Sequence, residues 1–180
     1  MVLALPQLNQ QLLLIKMPKN EINMLPTKEE LLAAHKRIKK AIHCTPVLQS
    51  TSINQITGVQ LFFKCDNFQR MGAFKMRGAA NAVGLLSDAE KEKGVATHSS
   101  GNFAQALALA AKNEGVKATI VMPNNAPAVK KRAVLGYGAT VIDCAPTLTA
   151  RETALQKVVD ETGATFVHPS NDINVILGNS

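Results

Sequence analysis

Residues 94–121 read GVATHSSGNFAQALALAAKNEGVKATIV, and this run holds one complete strand–helix–strand pattern. A glycine opens each of its β-rich ends, at 94–97 and 115–121, and residues 102–113 between them are rich in alanine and leucine, which favour helix. Glycine also suits the left-handed position that ends a helix. Two strands joined by a helix in this way are typical of a parallel βαβ unit.

The same pattern returns twice farther along the chain. Residues 138–142 (GATVI) and 163–167 (GATFV) again place a glycine before a strand, so the four glycines stand 21 to 25 residues apart. A helix is predicted over 128–137 after a proline, and residues 149–152 (TARE) have the spacing of a capping box that would begin another helix. Residues 93–167 are therefore predicted to form a compact α/β lobe with four parallel strands.

Three further signals precede this lobe. Residues 27–30 (TKEE) form a capping box, which predicts a helix from there to about Ile42. Residues 59–64 are predicted to form a strand just ahead of a glycine-containing loop. Residues 87–90 (SDAE) would cap a short helix that ends at Gly94.

The composition narrows the possible classes of function. The chain has 180 residues, 46% of them apolar, which is ordinary for a folded globular protein and argues against disorder. Its formal charge is +7, but the basic residues are scattered, and six Phe, one Tyr and no Trp leave few side chains to stack on bases. We therefore expect no nucleic-acid partner, and part of the charge would serve an anionic cofactor.

Cys44, Cys65 and Cys144 are few and far apart, which fits neither a disulfide framework nor a zinc site and favours reduced thiols in a cytoplasmic protein. No metal site is predicted from the histidines either. The apolar run at the start of the chain is too short and too interrupted to span a membrane, and it lacks the features of a signal peptide. We expect no membrane partner, a natural start at Met17, and a disordered or wrongly assigned extension over residues 1–26.

Lys75 stands within residues 72–79 (GAFKMRGA), between two glycines and ahead of an alanine-rich helical stretch. Glycine lets backbone come close to a flat ligand. A lysine that acts in chemistry must lose its proton, and burial beside apolar atoms favours the neutral amine, which attacks carbonyl groups. The residues alone leave open the alternative of a plain surface lysine at a helix start.

Two segments resemble the serine/threonine dehydratase family. Residues 68–79 (FQRMGAFKMRGA) are similar to its cofactor-lysine segment, and residues 98–106 (HSSGNFAQA) are similar to its Ser-Gly-Asn loop. The similarity runs from about residue 27 to the last residue and leans towards the branch of serine racemase and 3-hydroxyaspartate ammonia-lyase. It implies a fold-type-II, tryptophan synthase β-like α/β architecture and the cofactor pyridoxal 5'-phosphate.

The resemblance also implies the residues that handle the cofactor. Lys75 would form a Schiff base with the cofactor aldehyde and later take the proton from the substrate Cα. Phe74 would pack near the cofactor ring, and Asn102 would contact the ring hydroxyl. Ala73 replaces a serine that many relatives have, which puts little in doubt.

The loop is implied to bind the substrate carboxylate at a helix N-terminus. The residues concerned are Ser99, Ser100, Gly101, Asn102 and Phe103. Ser100 would be a second base on the opposite face of the substrate. The alternative is a plain helix cap made by serine and asparagine. Phe103 stands where the loop usually carries a histidine and cannot form its hydrogen bond, so substrate preference is in doubt.

The implied reaction is that of an ammonia-lyase, which converts serine, threonine or 3-hydroxyaspartate to a 2-oxo acid and ammonia. A serine racemase is the alternative within the enzyme class. A non-catalytic fragment, or a piece that interacts with a complete subunit, is the alternative of another class. The loop residues do not separate racemase from lyase, because the same serine occurs in both.

The resemblance further implies a domain division. Residues 27–92 would be the N-terminal part of a large domain, residues 93–167 a small parallel-sheet domain, and residues 168–180 the start of a return to the large domain. Relatives continue for well over a hundred residues. We therefore expect a truncated N-terminal half that is nearly inactive alone and belongs to a homodimer when complete.

Overall fold

The computed structural model describes residues 25–180, so the expectations about the first 24 residues lie outside the described part of the chain. The helices it describes are α1 (Lys28–Ile38), α2 (Thr51–Thr57), α3 (Lys75–Gly84), α4 (Asp88–Lys93), α5 (Asn102–Asn113), α6 (Ala128–Gly136), α7 (Leu148–Thr162) and α8 (Ile173–Asn179). The strands are β1 (Val47–Leu48), β2 (Phe63–Lys64), β3 (Val95–His98), β4 (Ala118–Pro123), β5 (Thr140–Cys144) and β6 (Thr165–Phe166).

Four of the strands form one parallel sheet in the order β5-β4-β3-β6. The βαβ prediction is therefore confirmed for all four glycine-led segments. Each leading glycine has a positive φ, 90° at Gly94, 68° at Gly115, 86° at Gly138 and 68° at Gly163. A side chain would be strained there, which explains why glycine recurs at this point of the repeat.

The sheet is covered on both faces, as parallel sheets generally are. Alternate residues of β3 point in opposite directions: Val95 belongs to a large cluster with α3 and α5, and Ala96 to a smaller one with α7. The large cluster draws residues from both predicted domains. The domain boundaries at 92/93 and 167/168 remain a prediction.

Close contact between α3 and α8 depends on two glycines. A Cβ on Gly78 would lie 2.6 Å from the Val175 carbonyl oxygen, and one on Gly178 would lie 2.6 Å from the Arg77 carbonyl oxygen. Real Cβ atoms do not approach backbone oxygens that closely. The glycines therefore allow α8 to lie directly against the helix that begins with Lys75.

Several predicted boundaries in the N-terminal part were wrong. Helix α1 ends at Ile38 rather than near Ile42, because the chain turns there and the backbone of His43 hydrogen-bonds both ways with the buried side chain of Gln69. The strand predicted over 59–64 is only β2, which pairs antiparallel with β1. Tertiary contacts decided both cases against local sequence preference.

One helix start also differs from prediction. Thr147 rather than Thr149 caps α7, since the Thr147 side chain accepts a hydrogen bond from the Ala150 N–H, and no reciprocal capping box forms. The last helix, α8, begins at Ile173 and is capped by Asp172. The caps predicted at Thr27 and Ser87 are both confirmed, and each forms a capping box.

Candidate active site

Lys75 is the first residue of α3 and follows a turn with unusual backbone geometry. Met71 and Gly72 both have positive φ, 55° and 76°, and Met71 is the only such non-glycine residue in the described chain. Positive φ is uncommon for a side-chain-bearing residue, and such conformations concentrate at functional sites. The turn sets the direction from which the lysine enters the site.

The Lys75 amine is half-buried and has defined neighbours. Its Nζ donates a hydrogen bond to the carbonyl oxygen of Pro169 at 2.9 Å. The same atom lies 5.0 Å from the centre of the Phe74 ring and 6.0 Å from the centre of the Phe103 ring. Phe74 is 45% exposed, whereas Phe103 is 3% exposed and belongs to the core. The amine thus lies between one fixed aromatic ring and one open to solvent.

Helix α3 is held in place by polar as well as apolar contacts. The Gly78 N–H donates to Asn179 Oδ1 at 3.0 Å. The fully buried Asn81 donates to the Asn174 carbonyl oxygen at 2.7 Å and accepts a hydrogen bond from Arg37. Because α8 supplies two of these contacts, the helix that carries Lys75 is fixed directly to the last helix of the described chain.

The Ser-Gly-Asn loop joins the end of β3 to the start of α5. Ser99 Oγ accepts hydrogen bonds from the N–H groups of Gly101 and Ala104, at 3.3 and 3.2 Å. Ser99 therefore satisfies one N–H group in the first turn of α5, although Gly101 occupies the N-cap position. The first-turn N–H groups of Asn102 and Phe103 have no acceptor within the helix. They give this end of α5 the partial positive charge that favours an anion.

Ser100 and Asn102 occupy different settings in the same loop. Ser100 is half-buried, and its side chain makes no hydrogen bond within residues 25–180. Asn102 is exposed, and its Oδ1 accepts a hydrogen bond from Lys130 Nζ at 3.4 Å. The same Nζ would lie 3.7 Å from a Cβ on Gly101. Lys130, on α6, adds a positive charge that sequence reasoning did not associate with the loop.

A pair of histidines lies beside the loop. His98 ends β3, and its ring meets that of His168 edge-on with centres 6.1 Å apart. Burial lowers the pKa of His98, the charge of His168 lowers it further, and the Glu152 carboxylate acts in the opposite direction. These side chains line a cavity of about 230 Å³ between α7 and the sheet, together with Leu155, Gln156, Val159 and Phe166.

The chemistry of this site suits an aldehyde-bearing, anionic aromatic cofactor. The site offers an amine able to bond to a carbonyl carbon, two aromatic rings beside that amine, and a helix N-terminus for an anion. The 6.0 Å distance from Lys75 Nζ to the Phe103 ring shows that the two resembling segments meet in space. Sequence reasoning missed Pro169 and His168, because both lie more than 90 residues after the lysine.

None of the helices in residues 25–180 is both long and apolar enough to cross a membrane. The longest, α7, has 15 residues and carries charged side chains along its length.

Comparison with known proteins identifies the family. Residues 38–180 match the family model described as pyridoxal-phosphate-dependent enzyme. Over 154 residues the chain is 53% identical to the beta-hydroxyaspartate dehydratase of Paracoccus denitrificans (strain Pd 1222). The aligned region covers 86% of this chain and 49% of that protein. The match to the family model covers most of the residues that the structure describes.

Two solved structures share the fold. The serine racemase of Dictyostelium discoideum superposes with a TM-score of 0.80 at 48% identity, covering 83% of this chain and 49% of that one. The T.th. threonine deaminase superposes with a TM-score of 0.77 at 39% identity, covering 85% and 48%. These neighbours confirm the fold-type-II architecture inferred from the resemblance.

The chain spans about half the length of the curated relatives it matches. Within that half, the α/β fold with its parallel sheet agrees with the family match. The chain belongs to the family of pyridoxal-phosphate-dependent enzymes.

Proposed function

We propose that this chain is the lysine-bearing part of an ammonia-lyase that acts on a β-hydroxy amino acid: serine, threonine or 3-hydroxyaspartate. The observation that carries the proposal is the meeting of Lys75 with the Ser-Gly-Asn loop, whose Phe103 ring lies 6.0 Å from the amine. Similarity to proteins named beta-hydroxyaspartate dehydratase and threonine deaminase supports the reaction class.

Lys75 has two tasks in this proposal. When bound, pyridoxal 5'-phosphate supplies an aldehyde and a ring that accepts electrons. Lys75 would hold the cofactor through its aldehyde group, and the rings of Phe74 and Phe103 beside the amine would restrict access of water. The free amine of Lys75 would also take the substrate Cα proton as general base.

The loop orients the substrate in the same proposal. The N–H groups of Asn102 and Phe103 at the start of α5 bind its carboxylate, because they have no acceptor within the helix. Ser99 holds the loop shape through its two accepted hydrogen bonds and can still donate its own hydroxyl proton. Asn102 and the neighbouring Lys130 lie together at the N-terminal end of α5, where they would contact the cofactor or substrate.

A serine racemase is the second candidate, and similarity to proteins named serine racemase favours it. In this alternative the half-buried hydroxyl of Ser100, which makes no hydrogen bond within the described residues, would be a base on the face of the substrate opposite Lys75. Racemisation yields the D-amino acid, whereas the lyase yields a 2-oxo acid and ammonia. Measuring the three products together from L-serine distinguishes the two reactions.

The proposal is tested by trapping the cofactor on the protein. The chain is mixed with pyridoxal 5'-phosphate, reduced with borohydride and mapped by peptide mass. We expect the label on Lys75, its loss in Lys75→Ala, and its retention in Lys112→Ala, which removes an exposed lysine from α5. A label spread evenly over surface lysines would refute the assignment.

Activity is tested with the same pair of variants. Because the chain alone is expected to be nearly inactive, the activity is measured in the complete enzyme. Its release of oxo acid and ammonia from L-serine, L-threonine and 3-hydroxyaspartate should depend on Lys75 and not on Lys112. Unchanged turnover in Lys75→Ala would refute the proposed role of the amine as general base.

A further inference from the structure

The chain turns sharply between β6 and α8, and His168 organises that turn. Its Nδ1 accepts hydrogen bonds from the N–H groups of Ser170 and Asn171, at 3.1 and 2.8 Å. Pro169 lies inside the loop thus closed, and its carbonyl oxygen accepts the hydrogen bond from Lys75 Nζ at 2.9 Å. His168 therefore directly precedes the residue whose carbonyl oxygen accepts the hydrogen bond from Lys75.

The two accepted hydrogen bonds define the state of the ring. A nitrogen that accepts from two N–H groups carries no proton, so the single proton of the neutral imidazole is on Nε2. Protonation of Nδ1 would turn it into a donor that faces two other donors. The turn can keep this shape only while His168 is neutral.

The ring of His168 packs against side chains from neighbouring elements. His98 on β3 meets it edge-on, with ring centres 6.1 Å apart. Phe166 covers a further side of the ring, with centres 5.7 Å apart. Glu152, from α7, lines the same cavity.

The far end of the turn is fixed independently. Asp172 Oδ1 accepts hydrogen bonds from the N–H groups of Asn174 and Val175, at 2.8 and 3.2 Å, and so caps α8. At the near end, the buried Val167 donates its N–H to Ala96 in the sheet. Between these anchors, the side chain of His168 supplies the hydrogen bonds that fold residues 168–171.

We propose that His168 is a positioning residue that, through Nδ1, fixes the Pro169 carbonyl and thereby sets the location of the Lys75 amine. This inference rests on the proposed function for its relevance to catalysis, since Lys75 is the residue proposed there to bond to the cofactor. The position of the free amine, hydrogen-bonded to Pro169, can be tested without the cofactor.

Two variants distinguish the effect of the His168 hydrogen bonds from the effect of side-chain size. His168→Asn keeps an acceptor at the same number of bonds from Cβ, and asparagine side chains accept from the N–H two residues on in turns of this kind. His168→Leu has a similar size but no acceptor. Retained circular dichroism and an unchanged sheet in amide exchange establish that each variant is folded.

The first readouts concern the turn itself. Nitrogen-15 NMR of the ring in the full 180-residue chain should show a neutral imidazole with the proton on Nε2. Amide exchange at Ser170 and Asn171 should accelerate about fivefold or more in His168→Leu, the change expected when one ordinary hydrogen bond is lost, and return in His168→Asn. A ring protonated on Nδ1 in the wild type would overturn the proposal.

The second readout concerns the amine and needs no cofactor. Reductive methylation with formaldehyde measures the reactivity of Lys75 relative to the exposed Lys112. We expect Lys75 to react about threefold faster or more in His168→Leu, because its acceptor is displaced, and at the wild-type rate in His168→Asn.

The outcomes keep the two proposals apart. If Lys75 methylation is the same in wild type and His168→Leu, the positioning role is overturned even when pyridoxal 5'-phosphate labels Lys75. If methylation responds as expected but the cofactor labels other lysines, the positioning role stands and the proposed function fails.

Discussion

At the residue scale, His98 links the stability of the fold to pH. Burial and the nearby charges of His168 and Arg151 lower the pKa of this imidazole below its usual value of 6.5. In the unfolded chain, the same ring takes up a proton more readily. Between pH 6.5 and the lower folded value, the unfolded state therefore binds more protons, and stability falls as the pH falls.

We predict that the wild-type chain loses stability between about pH 7 and about pH 5 and that His98→Gln loses less over the same interval. The measurement is the urea midpoint at the two pH values. His35→Gln is the matched control, because His35 is exposed on α1 and has no buried partner in the described structure. If the control reduced the pH dependence as much as His98→Gln did, the assignment to the buried ring would be wrong.

The same residue scale shows what sequence could and could not reveal about the site. Lys75 and the loop at Ser99–Phe103 were proposed as site residues because each lies in a short segment that resembles a segment of a known family. Pro169 was not found because its contribution is a carbonyl oxygen, which every residue has, and it lies 94 positions from Lys75. Lys130 was missed for a similar reason, since nothing in its own segment marks it as a neighbour of Asn102.

At the scale of elements, the residue that caps α7 differs between the structure and the sequence pattern. The pattern placed a cap at Thr149, whereas the structure places it at Thr147, whose side chain accepts from the Ala150 N–H at 3.2 Å. We predict that Thr147→Ala lowers the free energy of unfolding by about 1 kcal/mol, the usual cost of a lost N-cap. Thr149→Ala should have little effect, and urea unfolding of the two variants measures the difference. A larger loss in Thr149→Ala would favour the sequence-based cap.

The contact between α3 and α8 gives a second prediction at this scale. Gly78→Ala would push a Cβ to within 2.6 Å of the Val175 carbonyl oxygen, so we expect a loss of about 1 to 3 kcal/mol in the free energy of unfolding. Gly136→Ala is the control, because nothing lies within 4 Å of its Cβ position and alanine favours helix. Thermal unfolding should therefore show a lower Tm for the first variant and an equal or higher Tm for the second. If Gly78→Ala left the Tm unchanged, α8 would pack less closely against α3 than described.

Elements whose signals are local were predictable, and elements that depend on distant partners were not. Strands β3 to β6 each follow a glycine and carry apolar β-branched or small residues, so each could be located from its own segment. Helix α2 lacks an apolar face that packs into either core cluster, and it was not predicted. Strand β2 was predicted too long, because only two of its residues find a partner in β1.

At the scale of the whole molecule, the sheet lobe and the segment before the lysine differ in burial. Neither core cluster contains a residue between 47 and 68. That segment instead exposes large apolar side chains, among them Ile56 at 84%, Phe62 at 60% and Phe68 at 58%. A two-stranded ribbon such as β1–β2 has little stability of its own, and grouped apolar exposure marks surfaces that associate.

We predict that the chain self-associates through this segment and that salt increases the association. The formal charge of +7 makes copies repel at low ionic strength, and salt screens that repulsion while leaving apolar attraction in place. Sedimentation velocity from about 0.05 to about 0.5 M salt should show increasing association. The double variant Ile56→Lys/Phe62→Lys should associate less than Gln55→Lys/Gln60→Lys, which adds the same charge to the same segment while keeping the apolar side chains. An equal decrease in association in both double variants would mean that charge, and not apolar contact, controls association.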